Sequence, residues 1–368
     1  MGGIRGLVWA VALAAMVSLT AASAATDGAG AEAIHVDADG TIHVDGLAVP
    51  VSDFLSAPAR AQQSARLIRP PAPVVTEAGV KDARAGTDAF QQSVADRWRA
   101  VYPARIEPTM MNGVKTEVIT PEAGIAPENQ NRVLINLHGG GFFAGGGGAG
   151  GRAESLPVAG RGRIKVVAVD YRLAPENRFP AASEDVEQVY RALLAHHRPE
   201  QIGIYGCSAG GTLVAQSVAW FQKRRLPPPG AIGIFCSGAM PTFWYGGDSF
   251  AVTQMMNARL QATPEQMRDG AGTLYLAGVD GNDPLVTPGL FPEVLAKFPP
   301  TLIITGTRDS AMSNAIVTNA RLLAVGAETQ LFVQEGLGHG EFATLVGSAE
   351  AAQAYDVIWR FFDRHLAK

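Results

Sequence analysis

The chain has 368 residues, a net charge of -4, 47% apolar residues and only 17% charged ones. Composition of this kind excludes a disordered chain and a polyanion-binding surface, so no nucleic-acid partner is expected. The length exceeds the usual single-core size and predicts one large domain with an added cap or a small second domain.

Residues 1–24 read as a secretory leader. Arg5 gives a positive start, Leu7 to Leu19 an uncharged apolar run, and Ala22-Ser23-Ala24 a small-x-small cleavage site. The run falls short of the about 20 apolar residues that cross a bilayer, so no stable membrane insertion is expected after its removal. A periplasmic or extracellular location follows. No cysteine follows the run, which leaves no thiol there for a lipid.

Residues 25–113 form an N-terminal, cap-forming extension. Ile34 to Val51 alternates around an Asp-Gly turn and predicts a hairpin. His35 and His43 occupy repeat-like positions in it, where exposed strand sites are a better account than a metal role. Prolines up to about Val80 forbid a long helix. Asp88 to Val101 then carries Phe90, Val94, Trp98 and Val101 at helical spacing.

Beyond residue 114 short β-rich runs alternate with helical stretches. Strands are predicted at Val114 to Ile119, Val133 to Leu137, Ile164 to Val169, Ile202 to Tyr205, Ile232 to Cys236, Thr301 to Thr305 and Gln330 to Val333. Helices are predicted at Ser183 to His196, Ala209 to Arg224, Asn314 to Val325 and Ala349 to His365. Strands without polar alternation, separated by helices, mean a mostly parallel α/β sheet covered on both faces. Residues 241–299 break the rhythm with Phe243-Trp244-Tyr245, several glycines and a helical piece near Ala262 to Ala271, and read as an insertion over the sheet. Cys207 and Cys236 each end a buried strand. A disulfide is open to them in an oxidising compartment, but two unpaired small hydrophobes is the simpler reading.

Gly206-Cys207-Ser208-Ala209-Gly210 fits the Gly-x-Ser-x-Gly pattern of a serine exposed on a sharp strand-to-helix turn. Alone the pattern is weak in a Gly- and Ser-rich chain; its position between a strand and an amphipathic helix strengthens it. A serine hydroxyl needs a base, and the base an orienting group. His339 follows the last predicted strand and Asp309 the one before it, so all three residues fall at the carboxyl ends of strands, where ligands gather in an open parallel sheet. The order Ser208, Asp309, His339 is the one this turn motif accompanies. A loop histidine and a helix-capping aspartate are the plainer readings of the latter two taken singly.

His138-Gly139-Gly140-Gly141-Phe142 follows another strand. Attack on an ester creates an oxyanion, which backbone N–H groups stabilise. Gly140, Gly141 and Ala209 are the expected donors, with His138 holding the loop rather than serving as a second base. Phe142, Phe143, Trp244 and Tyr245 are candidates for lining the acyl or alcohol pocket, with core packing an equal alternative.

These motifs, with Asp170-Tyr171-Arg172-Leu173-Ala174-Pro175-Glu176, resemble the hormone-sensitive-lipase branch of the α/β-hydrolases, a family of carboxylesterases and acetylhydrolases. The resemblance runs from about Val114 to the C-terminus. It implies an eight-stranded sheet, a mainly helical cap drawn from the N-terminus and the insertion, no cofactor or metal, a Ser208-Asp309-His339 triad and an oxyanion hole at Gly140, Gly141 and Ala209. Asp170 to Glu176 reads as structural. Cysteine at 207 replaces the family's usual acid or threonine, Ser313 stands where a second aspartate is often found, and the hairpin has no family counterpart.

Two other classes compete. Gly139-x-Gly141-x-x-Ala144 and Gly145-x-Gly147-x-x-Gly150 after a strand, with Asp170 ending the next, fit a dinucleotide site formally. However, Gly150, Gly151, Pro157 and Gly160 are expected to spoil the helix such a site requires. A non-catalytic ligand-binding protein on the same fold would need a triad member to be missing, and none is. The expected partner is a small-molecule ester of short to medium acyl chain, because the cap segment is too brief for a long lipid tunnel. Sugar acetyl esters, lactones and amides stay open, as does a homodimer.

Overall fold

The computed structural model describes residues 35–44, 47–69, 75–242, 244–256 and 271–368. The leader at 1–24 lies outside these residues, as does the helical piece near 262–271 apart from Ala271. The strands are β1 His35–Val36, β2 Ile42–Val44, β3 Leu47–Val49, β4 Ala104–Met111, β5 Val114–Pro121, β6 Val133–Leu137, β7 Lys165–Val169, β8 Ile202–Cys207, β9 Ala231–Phe235, β10 Thr301–Arg308 and β11 Thr329–Gly338. The helices used below are α1 Ala57–Leu67, α2 Val80–Val101, α3 Ala149–Gly162, α4 Ala181–Leu194 and α5 Ala209–Lys223.

Buried strands such as Val133–Leu137 and Ala231–Phe235 have no polar face to turn to water, so they pair on both edges and are covered on both sides. The result is an eight-stranded sheet in the order β11-β10-β9-β8-β6-β7-β5-β4, with β5 antiparallel to both β4 and β7 and the strands β6 to β11 parallel to one another. One face packs against Val94 and Trp98 of α2, Leu156 of α3 and Phe362 of the C-terminal helix Ala349–His365. The other packs against Val186 and Tyr190 of α4 and Leu213 of α5. Among the described residues no helix is long and apolar enough to cross a membrane.

Several features depart from the sequence expectations. The strand β4 carries Pro108 and is largely exposed, as suits a sheet edge where a missing N–H costs no ladder bond. Prolines before Val80 do not prevent α1, because Pro58 sits in its first turn and Ser56 caps it. Helix α2 begins at Val80 rather than Asp88. Most instructive is α3, which forms through the very glycines and proline expected to spoil it. A Cβ at Gly160 would lie 2.4 Å from the Tyr102 ring and one at Gly162 2.5 Å from Trp359, so bare backbone lets this helix pack against both rings. That close packing offsets the roughly 1 kcal/mol per glycine that helix propensity costs.

The predicted hairpin is β1 and β2, and β3 adds a third antiparallel strand. His35 and His43 stand in register, and both rings hydrogen-bond to Asp37 at 2.9 and 2.8 Å. Cys207 and Cys236 are both buried and unpaired.

Arg132, 1% exposed, ties the start of β6 to the C-terminus. Its guanidinium donates to Asp363 at 2.8 Å and to the carbonyls of Asp363, Leu366 and Ala367. Arg132→Met should destabilise the fold by about 2–4 kcal/mol, since those acceptors lose their donor together. Urea unfolding checks this, and a change below about 0.5 kcal/mol would contradict it.

Candidate active site

Strand β8 ends at Cys207 and α5 begins at Ala209, so Ser208 alone makes the turn, with φ 59° and ψ -121°. A non-glycine residue held at such angles costs of order 1–3 kcal/mol, which surrounding structure must enforce. The Ser208 N–H donates to Phe235 O at 2.8 Å. On the other side a Cβ at Gly206 would lie 2.2 Å from Leu137 O, and one at Gly210 only 1.8 Å from it. Both positions therefore require glycine, and the turn presses against the end of β6.

His339 follows β11 and Asp309 follows β10, which pair in parallel and end side by side. His339 Nδ1–H donates to Asp309 Oδ1 at 2.8 Å, and Nε2 accepts from the Ser208 hydroxyl at 2.8 Å. The three residues placed together by chain order thus form one hydrogen-bonded line. Asp309 is fully buried, and its carboxylate also accepts from the Ala311 N–H at 2.9 Å and the Thr305 hydroxyl at 3.0 Å. Burial pushes its pKa up, but the imidazole of His339 and these donors outweigh burial and hold it below the ordinary aspartate value. An ionised carboxylate is what fixes the imidazole with Nδ1 protonated and Nε2 able to accept.

The loop after β6 lies beside this line. A Cβ at Gly139 would be 3.4 Å from Ser208 Cβ. Gly140, Gly141 and Phe142 all have positive φ, and the N–H groups of Phe143 and Ala144 fold back onto Gly140 O. Among the described residues the N–H groups of Gly140, Gly141 and Ala209 have no protein acceptor. His138 is buried; burial lowers its pKa, its Nδ1 bonds Gly139 O at 2.9 Å, and its ring stacks on Tyr171 at 4.2 Å. Tyr171 also donates to His138 O at 2.6 Å, so Asp170 to Glu176 supports the loop from beneath.

Helix α2 braces the same loop from above. Arg84 Nε donates to Phe143 O at 2.6 Å, Asp88 accepts from Gly145 N–H at 2.7 Å, and Gln91 donates to Gly139 O at 3.2 Å. Arg84 falls in the part of α2 that the periodicity missed.

Among the pocket candidates, Phe142 packs in the core, the alternative the sequence left open: it is 4% exposed and its ring stacks on Tyr275 at 4.5 Å. Phe143, Trp244 and Tyr245 are half-buried. The segment between β9 and β10 carrying Trp244 and Tyr245 is tied to the chain after Asp309, where Ser249 and Ser313 exchange hydrogen bonds of 2.9 and 2.7 Å.

Sequence reasoning missed Glu154. Its carboxylate accepts from Gly139 N–H at 2.7 Å, Asn136 Nδ2 at 2.9 Å and Cys207 N–H at 3.3 Å. The polar contact left in doubt by cysteine at 207 is therefore made through its main chain. The signal was available as a lone acid among the small and apolar neighbours Ala153, Ser155 and Leu156, but it fell in a segment read as irregular.

Helix α3 removes the earlier objection to a dinucleotide site, yet the loop opposes one for another reason. Its Gly139, Gly145 and Gly147 N–H groups already donate to the carboxylates of Glu154, Asp88 and Asp170. Donors already taken by these side chains, with the Asp88 and Asp170 carboxylates close by, oppose a pyrophosphate.

Residues 134–343 match the family model described as alpha/beta hydrolase fold. An esterase from Acinetobacter venetianus is 30% identical over 228 residues, covering 60% of this chain and 71% of the relative. The crystal structure of an esterase E25 superposes with a TM-score of 0.79 at 29% identity, covering 88% of this chain and 99% of that one. That of an esterase from the bacterial hormone-sensitive lipase family gives a TM-score of 0.68 at 26% identity, covering 82% and 95%.

Burial, opposed by the three donors, pushes the Glu154 carboxyl up to about 7 from an ordinary 4.5. The folded chain then binds this proton more tightly than the unfolded one. The resulting stability is fully present below pH 4.5 and is lost as pH rises through about 7. Asp309, lowered, acts oppositely and loses its contribution in acid. Between pH 5 and 8, urea unfolding should show wild type losing about 2–3 kcal/mol relative to Glu154→Gln. A pH-independent difference would contradict the raised value.

Proposed function

The chain belongs to the α/β-hydrolase family, in the branch like hormone-sensitive lipase, and on that premise we propose that it is a serine esterase that cleaves carboxylic esters of short to medium acyl chain through an acyl-enzyme intermediate. The observation that carries this reading is the 2.8 Å contact between His339 Nε2 and Ser208 Oγ, with Asp309 behind it at 2.8 Å.

Ser208 Oγ attacks the ester carbonyl as His339 Nε2 takes its proton. The imidazolium that forms is stabilised by the buried Asp309 carboxylate, which stays ionised. Charge developing on the carbonyl oxygen meets the N–H groups of Gly140, Gly141 and Ala209, which are pre-set by the loop and the turn and need no reorganisation. His339 returns its proton to the departing alcohol oxygen, leaving the acyl group on Ser208. Water then attacks the acyl carbon as His339 takes its proton, and as the bond from that carbon to Ser208 Oγ breaks, His339 returns the proton to Oγ and the acid is released.

Phe143, Trp244 and Tyr245 are the residues we assign to the acyl or alcohol pocket. The brief segment between β9 and β10 supports a limited acyl length. The leader-like residues 1–24 support export, so the substrate would be a small ester met outside the cytoplasm.

A fluorophosphonate probe should label the wild-type protein and fail to label Ser208→Ala, whose turnover should fall by about 10⁴-fold or more. Undiminished labelling of the variant would rule out Ser208 as nucleophile. Across p-nitrophenyl esters, rates should decline beyond about ten acyl carbons. A steady rise past that length would contradict the assigned acyl range.

A further inference from the structure

The ladder between β6 and β8 ends with the pair Leu137 and Gly206. Past that pair both chains leave the sheet: one becomes the glycine loop through Gly139 to Gly141, the other the turn through Cys207 to Ser208. The donors and the nucleophile are therefore carried on two backbones that no longer hold each other. Their spacing must nevertheless be kept to within a fraction of an ångström if the oxyanion is to form where the N–H groups point.

Glu154, on α3, lies where the ladder stops. Its Oε1 accepts from Gly139 N–H at 2.7 Å, the residue before Gly140. Its Oε2 accepts from Cys207 N–H at 3.3 Å, the residue before Ser208, and from Asn136 Nδ2 on β6 at 2.9 Å. One carboxylate thus grips both departing chains and the strand beneath them. The contact is close, since a Cβ on Gly139 would meet Cys207 O at 2.9 Å and Glu154 Oε1 at 3.3 Å.

We propose that Glu154 is a positioning residue for the reaction, whose carboxylate continues the β6–β8 pairing beyond the sheet and sets the distance between the oxyanion loop and Ser208. This rests on the esterase reading above. All three partners are donors, so only an acceptor with two free oxygens satisfies them. Glutamine supplies one acceptor and turns an NH2 towards a second donor. Aspartate keeps the charge but is one methylene short. Neither change touches Ser208, His339 or the loop donors directly, and no contact to substrate is required of Glu154.

The test compares wild type, Glu154→Gln and Glu154→Asp on p-nitrophenyl butyrate, with rates normalised to sites titrated by a fluorophosphonate. An aliphatic trifluoromethyl ketone, which forms a tetrahedral adduct on serine, serves as a probe of the oxyanion geometry. A positioning role predicts that kcat per titrated site falls about 10- to 100-fold in the glutamine variant and less in the aspartate variant, with KM changed less than about twofold. Ketone affinity should fall in parallel with kcat/KM. A merely structural role would lower the melting temperature or the yield and leave kcat per site and ketone affinity unchanged, and that result would overturn the proposal. Collapse of both variants to unfolded protein would also count against it, because the carboxylate would then serve the fold rather than the site. If wild type itself fails to react with the probe, the esterase reading has failed and not only this one.

Discussion

The constraint on which the structure depends is the contact of a glycine-only turn with the end of a neighbouring strand. Gly206 and Gly210 approach the carbonyl of Leu137 so closely that a methyl group at either would overlap it. Because the turn sits that tightly, Ser208 is held at a backbone conformation side-chain-bearing residues rarely adopt, and its hydroxyl meets His339 beyond the carboxyl end of β8. The same contact brings the β6 loop alongside, so the Ser208 hydroxyl and the loop's backbone amides converge from a single packing event. The strands β10 and β11, ending level with each other, then deliver an acid and an imidazole to the same rim.

The rest of the chain keeps those loops in place. Glu341 accepts from Gly338 N–H at 2.6 Å, just before His339, and is itself held by Gln63 at 3.1 Å and Arg66 at 2.8 Å from α1. Arg308, beside Asp309, donates to Pro50 O, and Trp98 of α2 donates to Ala343 O at 2.7 Å. Residues preceding the sheet therefore support the histidine loop on one side and, through Arg84, Asp88 and Gln91, the glycine loop on the other. An N-terminal extension expected to contribute to a cap supplies the hydrogen bonds that support the loops of the site.

What was legible in the sequence follows from which signals are local. The interior strands were readable because a two-sided buried strand must be apolar throughout, and the serine turn because its geometry excludes side chains at fixed positions. The meeting of Ser208, His339 and Asp309 was readable because each follows a strand, and parallel strands bring their ends together. Pro108 hid β4, since proline marks a strand only when its place at the edge is known. The glycines of α3 hid a helix, because their favourable partners, Tyr102 and Trp359, lie far away in sequence. Glu154 was lost with that helix. Phe142 was left open between pocket and core because a ring beside a glycine loop can point inward as readily as outward, and here Tyr275 receives it. Propensity reports a residue's own preference, whereas these features are decided by a distant neighbour.

The central claim is that Ser208, deprotonated by His339, bonds covalently to an acyl group during turnover. Its most direct test is rapid acid quenching during turnover of p-nitrophenyl acetate, followed by peptide mapping in a mass spectrometer. The peptide containing Ser208 should carry one acetyl group in wild type, with a burst of p-nitrophenol equal to the enzyme present. Full turnover with no acyl group on that peptide, or with the acyl group on another residue, would contradict the account.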